Sequence, residues 1–192
     1  RDWYIWKDPK PDGSPPNNWL NRFGGSAWEF HKETGQYYLH TFLKEQPDLN
    51  WRNPNLAKAM EDVLTFWLEK GVDGFRMDAV YFMIKDEQFR DDPMNPDPEP
   101  GKIDPYRTLL HTFSSNQPET LHIINRFTKI LEKYDDKFMV TELETLNVEQ
   151  LLPWYKASEN FLHAPFNFAL LSLPWKADTY SKFINEFDRS LD

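Results

Sequence analysis

Residues 72–78 read Val-Asp-Gly-Phe-Arg-Met-Asp, short and apolar enough for a buried parallel strand. Side chains alternate along a strand, so Gly74, Arg76 and Asp78 share one face while Phe75 and Met77 share the other. Upstream, Leu56, Met60, Val63, Leu64, Trp67 and Leu68 recur at helical spacing from a first turn near Pro54 until Lys70-Gly71 ends the helix. Downstream, residues 85–106 are polar and proline-rich, a long loop. Pro118 then opens a second helix with Leu121, Ile124, Phe127 and Leu131 on one face, followed by a strand at Phe138-Met-Val-Thr-Glu142. A short helix over Val148–Tyr155 leads to an extended piece near Phe161–Phe166, and a last helix carries Tyr180, Phe183, Ile184, Phe187 and Leu191. Alternation of helix and strand in this order specifies parallel strands joined by helical crossovers, an α/β class, either doubly wound or barrel.

Residues 1 to about 50 differ. Pro9, Pro11, Gly13, Pro15, Pro16, Gly24, Gly25 and Gly35 cut this stretch into turns and short extended pieces. Between them lie many aromatics, and Trp19, Phe23 and Trp28 are expected to form the core of a small irregular subdomain. The division predicted is residues 1–50 as that subdomain and 51–192 as the barrel-like part.

Composition excludes several classes. The chain has 192 residues with no cysteine, which removes disulfide scaffolds, cysteine-based metal sites and a thiol nucleophile. A net charge of −9 without a basic cluster argues against a nucleic-acid partner. No apolar run reaches the roughly 18 residues of a membrane span, so no membrane contact is expected from this segment. The eight Trp and eight Tyr suit sugar rings as well as packing. The five histidines (31, 40, 111, 122 and 163) show no ligand spacing, so no metal is expected. Asp91, Asp92, Asp97 and Glu99 lack the spacing of a calcium loop and read as solvated. Nothing calls for a cofactor.

In the first strand Arg76 and Asp78 point the same way, and in the second Phe138, Val140 and Glu142 do. Two carboxylates thus stand at the C-terminal ends of successive parallel strands, where barrel enzymes carry their chemistry. Glycoside hydrolysis needs such a pair, one carboxylate ionised to attack the anomeric carbon and one protonated to release the leaving oxygen. Arg76 favours the charged form of Asp78, and Glu142 has no basic neighbour within its strand, which suits a raised pKa. On spacing alone, a structural Arg76–Asp78 ion pair with a solvent-facing Glu142 fits equally well. Phe166 and Asn167, at the end of the third extended piece, are candidates to line a sugar pocket.

Gly71-Val-Asp-Gly-Phe-Arg-Met-Asp-Ala-Val80 resembles the nucleophile-strand motif of the α-amylase superfamily, glycoside hydrolase family 13. Gln46-Pro-Asp-Leu-Asn50 is similar to the short motif that marks its α-glucosidase and oligo-1,6-glucosidase branch. Pro15-Pro-Asn-Asn-Trp19, Phe23-Gly-Gly-Ser-Ala-Trp28, Tyr37-Tyr-Leu-His40 and Ala164-Pro-Phe-Asn-Phe168 resemble the same branch, so the likeness covers nearly the whole chain. It implies a partial (β/α)8 barrel, about strands four to six, preceded by the subdomain inserted after the third strand. It implies Asp78 as nucleophile, Arg76 as its charged neighbour and Glu142 as acid/base, with Ala79, Phe166 and Asn167 near the sugar. The substrate implied is a small oligosaccharide or disaccharide, maltose-type or sucrose, cleaved by a retaining, exo-acting α-glucosidase. Thr141 before Glu142, where many bacterial members carry Gly, and the long acidic loop resemble animal maltases. Ala79-Val80 resembles enzymes that prefer α-1,4 links.

The resemblance also implies parts this chain does not contain: an Asn-His pair from the first barrel strands and a His-Asp pair, with the third catalytic acid, from the seventh. The chain is therefore expected to be a piece of a longer protein and inactive alone. Two other readings share the resemblance: a non-catalytic subunit like the heavy chains of animal amino-acid transporters, and a sucrose isomerase or glucosyltransferase. Localisation follows the source, cytoplasmic for bacterial relatives and secreted or membrane-anchored for animal ones; the absence of Cys and of an Asn-X-Ser/Thr sequon leans to the former.

Overall fold

The computed structural model describes residues 1–97, 104–144, 148–156 and 163–191. It divides into two compact units, Arg1–Met60 with Phe82–Thr120, and Glu61–Tyr81 with Leu121–Asp192.

In the first unit β1 (Trp6–Lys7), β2 (Trp28–His31) and β3 (Gln36–Leu39) form an antiparallel sheet in the order β1-β3-β2. The β2–β3 hairpin pairs Trp28 with Leu39 and His31 with Gln36, and Gly35 takes the positive φ its turn requires. Trp19, Ala27, Trp28 and Leu39 are the buried core, with Phe89 and Phe113 packed against them. Buried Asn17 satisfies this core internally, since its Oδ1 accepts from Trp28 Nε1 at 2.7 Å and from the Trp19 amide at 3.1 Å. Phe23, expected in that core, is 68% exposed. It sits in a tight reversal where Gly24 N–H bonds to Asn21 C=O and Gly24 has φ +91°, so the side chain is carried outward.

The stretch after residue 82 is fastened to this unit by bonds from residues 17–19. Asn18 Nδ2 donates to Asp92 C=O at 2.8 Å, and the Asp92 amide donates back to Asn18 Oδ1 at 2.8 Å. Trp19 Nε1 donates to Arg90 C=O at 2.8 Å, and Asn17 Nδ2 to Phe89 C=O at 3.1 Å. Asp92 is therefore not solvated as the loop reading expects. Its side chain is buried and its Oδ1 accepts from the Phe113 amide at 2.6 Å, a buried acceptor taking hydrogen bonds in place of water. Glu99 lies outside the described residues.

The helix α1 (Pro54–Glu69) opens behind Asn53, whose Oδ1 accepts from the Asn55 amide at 2.9 Å. Gly71, at φ +91°, ends it. In the second unit β4 (Gly74–Met77), α2 (Thr120–Leu131), β5 (Phe138–Thr141), α3 (Val148–Tyr155), β6 (His163–Pro165) and α4 (Ala177–Leu191) alternate along the chain. The strands form a parallel sheet ordered β4-β5-β6, as alternation requires. Residues 161–162 of the third expected strand lie outside the described residues. Gly74 is needed because its backbone passes so close to β5 that a Cβ would lie 1.8 Å from the Phe138 carbonyl oxygen. One face of the sheet is buried, with Met139, Thr141 and His163 at 3% exposure or less; on the other Arg76 and Phe138 are exposed. The chemistry-bearing residues are on that second face.

Candidate active site

The ladder sets the site. Gly74 pairs with Phe138, Arg76 with Val140 and Met77 with Thr141, so the next residues, Asp78 and Glu142, stand side by side at the C-terminal ends of β4 and β5. The Glu142 amide donates to Met77 C=O at 2.9 Å, which carries the pairing one residue past the strand. Arg76 reaches both carboxylates: Nη1 lies 2.8 Å from Asp78 Oδ1, and Nη2 donates to Glu142 Oε2. The Arg76–Asp78 ion pair is present, and Glu142, 22% exposed, joins it through Arg76 instead of facing solvent separately. Its carboxyl is held above the usual range, by burial first and by its hydrogen bond with Asp78 next, against the opposing pull of Arg76.

The other residues expected at the site lie just past the ends of β4 and β6. Ala79 follows Asp78 directly and has φ +45°, a left-handed turn that ends the strand. Phe166 is half-buried just beyond β6, and its amide donates to Thr141 C=O at 2.8 Å. Asn167 caps the 3-10 turn Phe168–Ser172 with its side-chain oxygen, which accepts from Ala169 N–H at 3.2 Å. That oxygen is engaged within the protein. Among the described residues no cluster of three acidic or histidine side chains could hold a metal, and no helix is long and apolar enough to cross a membrane.

Sequence reasoning passed over Lys85. Its ammonium is buried in the first unit, donates to Phe82 C=O at 2.6 Å and Thr41 Oγ1 at 2.9 Å, and pairs with Asp48 at 3.2 Å. Burial lowers its pKa and Asp48 opposes that. A lone lysine in a polar stretch gives no signal of this; the partner motif, Gln46–Asn50, was visible.

Residues 1–189 match the family described as alpha amylase, catalytic domain. The chain belongs to the alpha-amylase family. It is 39% identical to an alpha-glucosidase of Culex pipiens over 178 residues, which is 88% of this chain and 30% of that protein. It is 37% identical to an amino acid transporter heavy chain of Homo sapiens over 163 residues, 80% of this chain and 24% of that one. The crystal structure of the alpha-glucosyl transfer enzyme XgtA superposes with a TM-score of 0.87 at 36% identity, covering 100% of this chain and 36% of its own. The alpha-amylase chain described here thus spans about a third or less of the length of these relatives.

Proposed function

We propose that the protein carrying this chain is a retaining, exo-acting α-glucosidase that cleaves terminal α-glucosidic bonds, α-1,4 in preference, of maltose-type oligosaccharides or sucrose. The observation that carries the reading is the shared Arg76–Asp78–Glu142 contact at the strand ends. Asp78, ionised beside the guanidinium, attacks the anomeric carbon as the Glu142 proton passes to the leaving glycosidic oxygen. A covalent glucosyl ester forms and the aglycone departs. Water then attacks that carbon, Glu142 takes its proton, and the ester bond to Asp78 breaks, so two inversions retain the α configuration. Both carboxyls meet one guanidinium, a closeness that supports the retaining course, since retaining enzymes hold the pair roughly 5–5.5 Å apart and inverting ones roughly 6.5–9.5 Å. A raised Glu142 pKa favours the protonated form that an acid catalyst needs. Phe166 and Ala79 border the sugar.

Similarity to a transporter heavy chain supports a second reading, a non-catalytic subunit, and similarity to a glucosyl transfer enzyme supports transfer to a sugar hydroxyl in place of water. One experiment separates all three: glucose release and transfer products from maltose, isomaltose and sucrose by the full-length protein, beside Asp78→Asn and Glu142→Gln. The expected outcome is glucose release that falls by at least about 10³-fold in Asp78→Asn. A folded wild-type protein with no activity would establish the subunit reading, and products dominated by transfer would establish the transferase.

A further inference from the structure

The outward face of the parallel sheet carries Phe75 and Met77 on β4, Met139 and Thr141 on β5, and His163 and Pro165 on β6. Four of these are apolar, as a face packed under helices requires. Thr141 and His163 are not, and they bond to each other: Thr141 Oγ1 lies 2.9 Å from His163 Nε2, with Thr141 at 0% and His163 at 3% exposure. The other ring nitrogen, Nδ1, has no hydrogen-bond partner among the described residues. A buried polar pair with one nitrogen unsatisfied is a poorer choice for packing than two apolar side chains of the same size. Its location supplies a reason for it. Thr141 immediately precedes Glu142.

We propose that Thr141 and His163 are a positioning pair for Glu142, locking the C-terminal end of β5 to β6 so that the Glu142 carboxyl meets Asp78 and Arg76. This rests on the hydrolase reading above. Three bonds hold the Thr141–Glu142 link. The Glu142 amide is tied to Met77 C=O on one side, and Thr141 C=O accepts from the Phe166 amide on the other. Both are backbone bonds that any sequence makes in this ladder. The third, Thr141 Oγ1 to His163, depends on side chains and opposes rotation of the peptide that would swing the long Glu142 side chain out of register. His163 suits the task because burial pushes its ring pKa down to about 4, so at neutral pH it is an uncharged partner.

The test uses the full-length protein with Thr141→Val, Thr141→Ser and the double variant Thr141→Val/His163→Leu. Valine keeps the shape and removes the hydroxyl. The expected result is a kcat on maltose lower by about tenfold with KM within about twofold, and a basic limb of the pH profile displaced to lower pH. Serine restores both. The double variant regains thermal stability, since neither partner is left unpaired, yet keeps the low kcat. A Thr141→Val protein that loses only Tm, or a double variant that regains kcat together with Tm, would overturn the proposal, because the pair would then serve packing alone. A readout independent of turnover is the ¹³C titration of the Glu142 carboxyl, assigned by its loss in Glu142→Gln. It is expected to move down by at least about 0.3 pH unit in Thr141→Val as the contact with Asp78 loosens. If the wild type releases no glucose, the hydrolase reading fails and this titration still decides the pair: a displaced curve upholds it and an unmoved curve overturns it.

Discussion

Lowering the pH from 7 to 4 charges His163 in the unfolded chain before it charges it in the folded one. The ring is buried and its folded pKa lies near 4 instead of 6.5, with burial the main cause. Because the folded pKa is depressed, the unfolded state binds more protons between these values. The stabilisation is fully present above pH 6.5, falls as the pH drops towards 4, and levels off below it. At about 1.4 kcal/mol per pH unit, His163 removes about 2 kcal/mol of stability by pH 5 and about 3 kcal/mol by pH 4. The assay is urea unfolding, followed by tryptophan fluorescence, of wild type and His163→Leu at several pH values from 7.5 to 4. Leucine changes the absolute stability through the orphaned Thr141 hydroxyl, so the quantity compared is the pH slope. The wild-type curve should fall more steeply, the gap between the two curves changing by about 3 kcal/mol across the range. Parallel curves, differing by a constant to within about 0.5 kcal/mol, would refute the reasoning.

Gly74→Ala should break the β4–β5 ladder, because its Cβ would lie 1.8 Å from the Phe138 carbonyl oxygen and a backbone atom cannot rotate away. A loss above about 3 kcal/mol is expected, and a Tm within about 2 °C of wild type would contradict it. Lys85→Met should cost about 3 kcal/mol, since Asp48, 14% exposed, loses the cation paired with it. Thermal unfolding measures it, and Lys85→Met/Asp48→Asn should recover part of the loss.

The α/β alternation was legible because each element carries its own period. Leu56, Met60, Val63 and Leu64 state a helix locally, and Val148–Tyr155 is found with the bounds the sequence implies. The relation of Asp78 to Glu142 was legible for the same reason, since period-two alternation fixes which face each carboxylate takes once the strands are parallel. What local reading could not reach is set by contacts distant in sequence. Residues 82–120 join the unit of residues 1–60 through Asn17, Asn18 and Trp19, whose partners at Phe89–Asp92 lie more than 70 positions away. Composition describes Asp92 as one acid in a proline-rich stretch, and its burial follows only from the Phe113 amide that folds back onto it. Phe23 shows the converse, an aromatic turned outward by the glycine after it.

Glu142 is the most instructive residue. Its raised pKa was expected because its strand supplies no basic neighbour, and the direction holds although the adjacent strand supplies one. Arg76, from the adjacent strand, donates directly to Glu142 and by itself would lower the value. Burial and the hydrogen bond with Asp78 outweigh it. The competition has a chemical consequence for the proposed reaction. With a single guanidinium between two carboxyls, ionising both places like charges in contact, and burial makes Glu142 the one that favours its proton. In the proposed reaction the division of labour between nucleophile and acid would follow from unequal burial of two groups that share one cation, and a change that exposes Glu142 should erode it even with every charged residue intact.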